Sequence, residues 1–352
     1  MKFKRFAALV MAAALSVCAV TGCTLGEETR IAATYSGGEI PAGIYLYNQV
    51  SALNEAYYLV PDPSQDLLSQ QIDGVDAEEW INNRAAELTM AYAAIESECD
   101  RLGLTLDSGD AASATQGLSQ NWESQKDQLE KAGIGYASVE ASLLNTAKAA
   151  LLFDAYYGEG GEKEVPDEEY RAFYEENFRR VLLLVFSKTY DQIAGAAFDE
   201  EGAAAQLETI QSYFDRAKAG EDLYDLIVER DREMTLALDS GAEAIYQPPS
   251  EDSRIALVYR EDTSFPAALV EQIFSGDGDG VETYEDENYG ILFQRRSLDD
   301  DPLLYESSKP SMLPLMKQQE FLDQLVEMAG GLGFTFNDKA IKQFTVKKLM
   351  AL

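Results

Sequence analysis

The 352-residue chain contains no histidine. Its absence rules out Ser-His-Asp and Cys-His nucleophiles, imidazole metal ligation and histidine pH switching. Cysteine is scarce: Cys18, Cys23 and Cys99. Two of these fall in an N-terminal apolar leader, so Cys99 is alone in the remainder and no internal disulfide framework forms. In the context "AAIESECDRLG", Cys99 reads as a small helix residue and not as a reactive thiol. Positive charge is scarce as well. Lys and Arg number 28 against 62 Asp and Glu, a net charge of −34. Such a surface repels phosphate backbones and argues against a nucleic-acid partner. Carboxylates are so frequent that no pair stands out as a glycosidase dyad. Nothing in the composition calls for a metal or cofactor.

Hydrophobic residues make up 46% of the chain. That is enough for a folded protein of more than one domain. The chain opens "MKFKRFAALVMAAALSVCAVTGC", a basic start, an apolar stretch and small residues, which is the pattern of a secretory signal. Its end, Val20 to Cys23, resembles the bacterial lipobox, which implies that the Cys23 thiol is acylated and becomes the mature N-terminus. Two acyl chains suffice for stable anchoring. Removing residues 1–23, which hold Lys2, Lys4 and Arg5 and no acid, takes the charge from −34 to −37. "TLGEETR" then reads as a short tether.

"IAATYSGGEIPAG" reads as a strand, a turn and a helix entered near Pro41. "DAEEWINNRAAELTMAYAAIESECDRLG" is a long amphipathic helix with Asp76 as N-cap and Gly103 as stop. Trp80, Ile81, Ala85, Leu88, Tyr92 and Ile95 lie near one face. Two further helices end at the hinge "GEGGEKEVPDEEY", with Pro166 opening the next helix. "YEENFRRVLLLVFSK" then passes from an acidic helix into an unbroken apolar run, Val181–Phe186, too short for a membrane and suited to a buried strand. A helical stretch broken by Gly220, a mixed loop and strand, a short helix and the strand of "NYGILFQRR" follow, together a small mixed α/β block. A C-terminal helix is expected from about Met312 to Met328. Its apolar residues Leu313, Leu315, Met316, Phe321, Leu322, Leu325 and Val326 demand a packing partner.

Segment by segment, the mature chain resembles the PrsA/SurA class of extracytoplasmic foldases. "AATYSGGEIPAG", "ESECDRLGLTLD", "DQLEKAGIGYASVEASLLNTAKAALLFDAYYG" and "KEVPDEEYRAFYEEN" look like successive pieces of that class in order. The resemblance implies an α+β fold: a mainly helical chaperone domain from the N- and C-terminal parts, with a small parvulin-like domain inserted. The expected division is 1–23 signal peptide, 24–165 helical lobe, 166–298 parvulin-like domain, and 299–352 helix and tail packing on the first lobe. The resemblance also places a parvulin histidine at Leu183 (or Leu182, one register away) and another at Gly290, so these two are expected close together on adjacent strands. Neither can supply the polar network of a parvulin site, which implies a degenerate prolyl isomerase.

The implied function is a lipid-anchored holdase on the outer face of a Gram-positive cell membrane, gripping unfolded exported polypeptides without ATP. Two alternatives stand beside it: an assembly lipoprotein serving one dedicated partner, and an isomerase that works without histidines. Other features have plainer readings. The acidic stretch 277–287 lacks a full calcium-loop spacing and reads as a turn. Tyr45, Tyr47, Tyr57, Tyr58, Tyr156 and Tyr157 read as core and rim aromatics, with a client-gripping cleft as the sharper option. The pairs Arg179–Arg180 and Arg295–Arg296 read as solvated charges at strand edges.

The anchoring reading is directly testable. Cys23→Ala should shift the protein from the detergent phase to the aqueous phase, or leave an uncleaved precursor. Intact-mass analysis should find acyl mass on the wild type. A lipid-free mature protein starting elsewhere would rule the anchor out.

Overall fold

The computed structural model describes residues 30–276, 278–343 and 345–351. The signal segment and Cys23 lie outside the described residues. The described residues divide into two compact units, one formed by the chain up to Val165 together with the part from Lys317 onward, the other by Pro166–Met316.

The first unit begins with a hairpin, β1 (Ile31–Tyr35) and β2 (Gly38–Pro41), which runs directly into α1 (Ala42–Leu59). A second small hairpin, β3 (Gln71–Ile72) and β4 (Val75–Asp76), feeds α2 (Ala77–Leu102). Asp76 sits at the N-cap and Gly103 closes the helix at φ 68°, the left-handed conformation that favours glycine. α3 (Ser108–Ala114), α4 (Leu118–Lys131) and α5 (Tyr136–Tyr157) follow. Ala52 and Ala56 of α1 and Ile81 and Ala85 of α2 are fully buried in one core. Polar side chains cross this helix pair: Gln49 Nε2 donates to Asn82 Oδ1 at 2.7 Å, and Asn48 Nδ2 to Thr89 Oγ1 at 3.1 Å. Between α2 and α5, Lys148 pairs with Glu96 at 2.5 Å, and the Asn145 amide donates to Glu96 and to the Tyr92 carbonyl. Cys99 is buried against the Lys148 carbonyl, and burial pushes its thiol pKa up, so it is a poor nucleophile.

The second unit starts with α6 (Asp167–Asn177), capped by Pro166. Its sheet is formed by β5 (Phe178–Ser187), β8 (Ile255–Tyr259), β9 (Val281–Glu285) and β10 (Tyr289–Arg296), in the order β8-β5-β10-β9 with every neighbour antiparallel. Between β5 and β8 come the short hairpin β6 (Tyr190–Asp191) and β7 (Ala196–Ala197), then α7 (Glu200–Lys218) and α8 (Leu223–Leu238). α9 (Ala267–Ser275) separates β8 from β9. One face of the sheet, with Leu182, Leu184, Phe186 and Leu292, is covered by α7 and α8 through Ile210, Phe214, Leu223 and Leu226. The other, with Val181, Val258, Ile291 and Phe293, is covered by α9 through Leu269, Val270 and Ile273. The apolar run of β5 is thus explained: both faces of its middle are buried.

The last long helix, α10 (Pro302–Gly331), starts ten residues earlier than the sequence suggests and runs through Pro310 and Pro314. The division between units falls inside it, between Met316 and Lys317, where the sequence reading drew the line at 298/299. In the second unit, Tyr305 and Met312 are buried with Tyr174 and Phe178. In the first, Phe321 packs edge-on against Phe153 and Tyr157, and Gln324 donates to the Tyr157 hydroxyl at 2.6 Å. Leu315, Leu322 and Val326 are exposed. The chain ends in β11 (Thr335–Phe336), which pairs with β1, and in α11 (Asp338–Gln343) and α12 (Val346–Met350). The whole is an α+β fold.

The arginine pairs are not solvated edges, which corrects the sequence reading. Arg180 and Arg295 are both buried. Arg180 stands directly opposite Arg296 across β5 and β10, a like-charge pairing that by itself destabilises a sheet. Asp252 and Asp300 offset it at Arg180 (3.2 and 3.6 Å), and Glu251 does so at Arg296 (2.5 Å). Arg295 ends α9. Its Nε donates to the Ile273 carbonyl at 2.8 Å, its Nη2 to the Gln272 carbonyl at 2.7 Å, and its Nη1 to Glu282. This hydrogen bond holds the Glu282 carboxyl below its ordinary pKa.

Arg295→Met keeps the stem and strands those acceptors. It should cost about 2–4 kcal/mol of unfolding free energy, since a buried group losing its charged partner bears the desolvation penalty alone. Urea unfolding of the variant checks this, and a loss below about 0.5 kcal/mol, the level of ordinary surface substitutions, would mean the contacts carry no weight.

Candidate functional site

The expected isomerase positions fall on β5 and β10, which are adjacent strands, but they do not face each other. Gly290 pairs with Phe186, and Leu183 pairs with Phe293. Three rungs separate the two, about 10 Å along an antiparallel pair. They also point to opposite faces. Gly290 shares its face with Leu184 and Phe186, beneath α7, whereas Leu183 belongs to the core under α9. Leu182 shares the face of Gly290 but pairs with Gln294, four rungs away. The pairing inferred from the resemblance is therefore corrected. The residues form no common site, and each is packed as core.

Gly290 has its own structural reason. A Cβ there would sit 2.6 Å from Ile210 Cγ2 and 3.3 Å from Ile210 Cδ1. The missing side chain lets α7 descend onto the sheet.

The sheet is covered in its middle and open at one end. At the C-terminal end of β5 and the start of β10, Val185, Tyr190, Ile193 and Tyr289 are all exposed. Val185 lies opposite Ile291, which α9 covers and which is in turn opposite Tyr284 of β9; on its other side β8 has stopped pairing at Leu182, so Val185 is left exposed. The β6–β7 hairpin closes the other side. Its turn is built by Asp191, whose Oδ1 accepts from the Ile193 and Ala194 amides at 2.8 and 3.1 Å. That turn holds Ile193 outward. Between the hairpin, the end of β5, α7 and α8 is a cleft of about 190 Å³. Phe186, Phe198 and Met234 contribute its apolar lining, and the Arg230 guanidinium lies 5.5 Å from the Phe186 ring centroid.

The rim of this open end is acidic. Lys188 donates to Glu285 and to the Asp286 carbonyl, both at 2.7 Å, which ties the end of β5 to the β9–β10 turn. Burial raises the pKa of Asp286, but the Asn288 amide, the Tyr284 hydroxyl and the Tyr289 amide more than offset it, so the carboxyl stays below its ordinary value. Glu285 and Glu287 are exposed beside it. Asp191 completes the rim on the hairpin. The cations nearby are engaged: Lys188 with Glu285, and Arg230 with Glu233 at 3.2 Å.

Other surface features are accounted for without a ligand. A cleft of about 480 Å³ between the end of β8 and α9 has Phe274 in its wall. That ring is covered by the guanidiniums of Arg260 and Arg179, 4.5 and 4.7 Å from its centroid. Both arginines also donate to the last carbonyls of α6, Glu176 and Glu175. They terminate a helix in the way Arg295 terminates α9. In the acidic stretch 277–287, Asp277 lies outside the described residues. Among the described residues no group of three or more acids or thiols could hold a metal ion. Of the six tyrosines singled out in the sequence, Tyr45, Tyr156 and Tyr157 are buried, Tyr47 is half-buried, and Tyr57 and Tyr58 are exposed at the end of α1. They line no common cleft. No helix among the described residues is long and apolar enough to cross a membrane.

Gly290→Ala should destabilise the protein by about 1–3 kcal/mol through overpacking. Combining it with Ile210→Ala should recover part of that loss, a positive coupling in a double-mutant cycle read by denaturant unfolding. Strict additivity of the two would show that α7 does not rest on this glycine.

No family model matches the chain, and no curated protein does. Among solved structures it is similar to the foldase protein PrsA of Streptococcus pneumoniae, at 12% identity over 79% of this chain and 96% of that one, with a TM-score of 0.39. It is similar to PrsA of Lactococcus lactis at 13% identity, over 90% and 99% of the two chains, with a TM-score of 0.36. PrsA of Bacillus subtilis is matched at 14% identity, over 80% and 88%, with a TM-score of 0.26. These are proteins of the class that the sequence resembles, and at such identities no site residue transfers from them to this chain.

Proposed function

We propose that this protein is a lipid-anchored, extracytoplasmic holdase-type foldase that grips unfolded exported polypeptides at the open end of its second unit. The observation that carries the reading is the cleft lined by Phe186, Phe198 and Met234, with the exposed apolar residues Val185, Tyr190 and Ile193 also on its lining. A holdase needs accessible apolar surface and a soluble exterior, and no bond is made or broken. Isomerase activity is absent from the proposal on compositional grounds. With no histidine anywhere in the chain, a paired-histidine network is impossible whatever the strand register.

A second reading, one dedicated partner, is favoured by the size of the cleft. At about 190 Å³ it admits a single large side chain and not a length of chain.

Two assays on the purified protein separate these. The chain should suppress aggregation of a chemically denatured client without ATP, and Val185→Asp with Ile193→Asp should abolish most of that suppression while leaving the unfolding midpoint in place. Prolyl isomerisation of a tetrapeptide should run at least about 100-fold below an active parvulin, the scale lost with general acid–base groups. Unimpaired suppression by the double variant would move the holding surface elsewhere. Failure to suppress aggregation of any client would favour the dedicated partner. Parvulin-level isomerisation would overturn the proposal.

A further inference from the structure

We infer that the open end of the β5–β10 sheet selects extended polypeptide segments in which a large apolar side chain is flanked by lysine or arginine. This rests on the holdase reading and names its preferred client. The surface is apolar at its centre: Val185, Tyr190 and Ile193 line the cleft together with Phe186, Phe198 and Met234. Asp191 lines the cleft itself, and Lys188, just past the end of β5, reaches Glu285 and Asp286 on the β9–β10 turn, where Glu287 is also exposed. Lys188 is the cation between them, and it is already bound to Glu285 at 2.7 Å and to the Asp286 carbonyl. Arg230, on the wall of the cleft, lies over Phe186 and is paired with Glu233. A client side chain entering the cleft would therefore place its neighbours next to carboxylates with charge to spare.

The whole chain pushes the same way. At a net charge of −34, an acidic segment approaches against repulsion at every angle, and a basic one is drawn in. A second copy of the chain carries the same charge and is a poor occupant. The cleft of about 190 Å³ sets the other half of the preference: one aromatic or large aliphatic side chain, with the backbone lying across the rim.

The experiment uses the full chain in zwitterionic nanodiscs and three fluorescent peptides with the same Phe-Leu core, flanked by lysines, serines or glutamates. Binding is followed by anisotropy at two salt concentrations. The lysine-flanked peptide should bind about tenfold or more tightly than the glutamate-flanked one, with serine between, and raising salt should narrow the gap. Glu285→Gln with Glu287→Gln should weaken the lysine-flanked peptide by roughly threefold to tenfold, given the usual worth of exposed charge pairs. Val185→Asp with Ile193→Asp should weaken all three. Equal binding of the three peptides, with aggregation suppression intact, would overturn this inference and leave the holdase reading standing. Loss of both peptide binding and suppression would overturn the two together. Concentration-dependent dimerisation that Val185→Asp abolishes would also overturn it, by assigning the surface to a second copy.

Discussion

The second unit depends on one constraint, a strand whose middle is apolar on both faces. Val181, Leu182, Leu184 and Phe186 of β5 are all buried, alternately under α9 and under α7 and α8. An antiparallel sheet with one wet face would alternate apolar and polar residues. β5 does not, so helices must cover both sides, and the chain supplies them between consecutive strands. Gly290 is a consequence of the same demand. With Ile210 pressed onto the sheet, no side chain fits on β10 at that point. Exposure returns at Val185, past the last β5 residue that pairs with β8, and at Tyr289, the first residue of β10.

A second constraint is the shortage of cations, 28 against 62 acids. The arginines are spent where a positive charge has most effect. Arg295 ends α9, and Arg179 and Arg260 end α6, each meeting the negative end of a helix dipole. Arg180 and Arg296 face each other across the sheet and would repel, but Asp252, Asp300 and Glu251 surround them. Acid-rich loops thereby become structural, because they supply the partners that let buried guanidiniums stay buried.

These two constraints explain which parts were legible in the sequence. The α2 helix was readable from its period, from Asp76 and from Gly103, because local signals fix its ends. β5 was readable as a buried strand from "VLLLVF" alone. Its facing was not. A one-residue change of register turns every side chain to the other face, and a run apolar on both faces carries no alternation to set that register. This is why Leu183 and Leu182 could not be separated; the supposed pairing with Gly290 failed for a different reason, since neither residue lies opposite it and the partner of Gly290 is Phe186. Arg180 and Arg295 looked like surface charges because the acids that hold them, Asp252, Asp300 and Glu282, are distant in sequence or unremarkable among 62 others. Val185 sits inside the apolar run and is indistinguishable from its buried neighbours by composition. Only the end of the β8 pairing at Leu182, set by the fold, leaves it exposed. The last long helix was expected from about Met312, but it begins at Pro302 and passes through Pro310 and Pro314, residues that ordinarily interrupt a helix.

An apolar patch left open creates a hazard as well as a function, since two copies could bury it against each other. The acidic rim and the overall charge answer that hazard. Like charges repel over about 8 Å at physiological salt. An unfolded chain avoids most of that penalty because it can offer a short segment, and avoids all of it when that segment is basic. On the proposed reading, the same carboxylates that set copies of the chain against each other would favour a client of opposite charge, so both effects trace to one feature of the sequence.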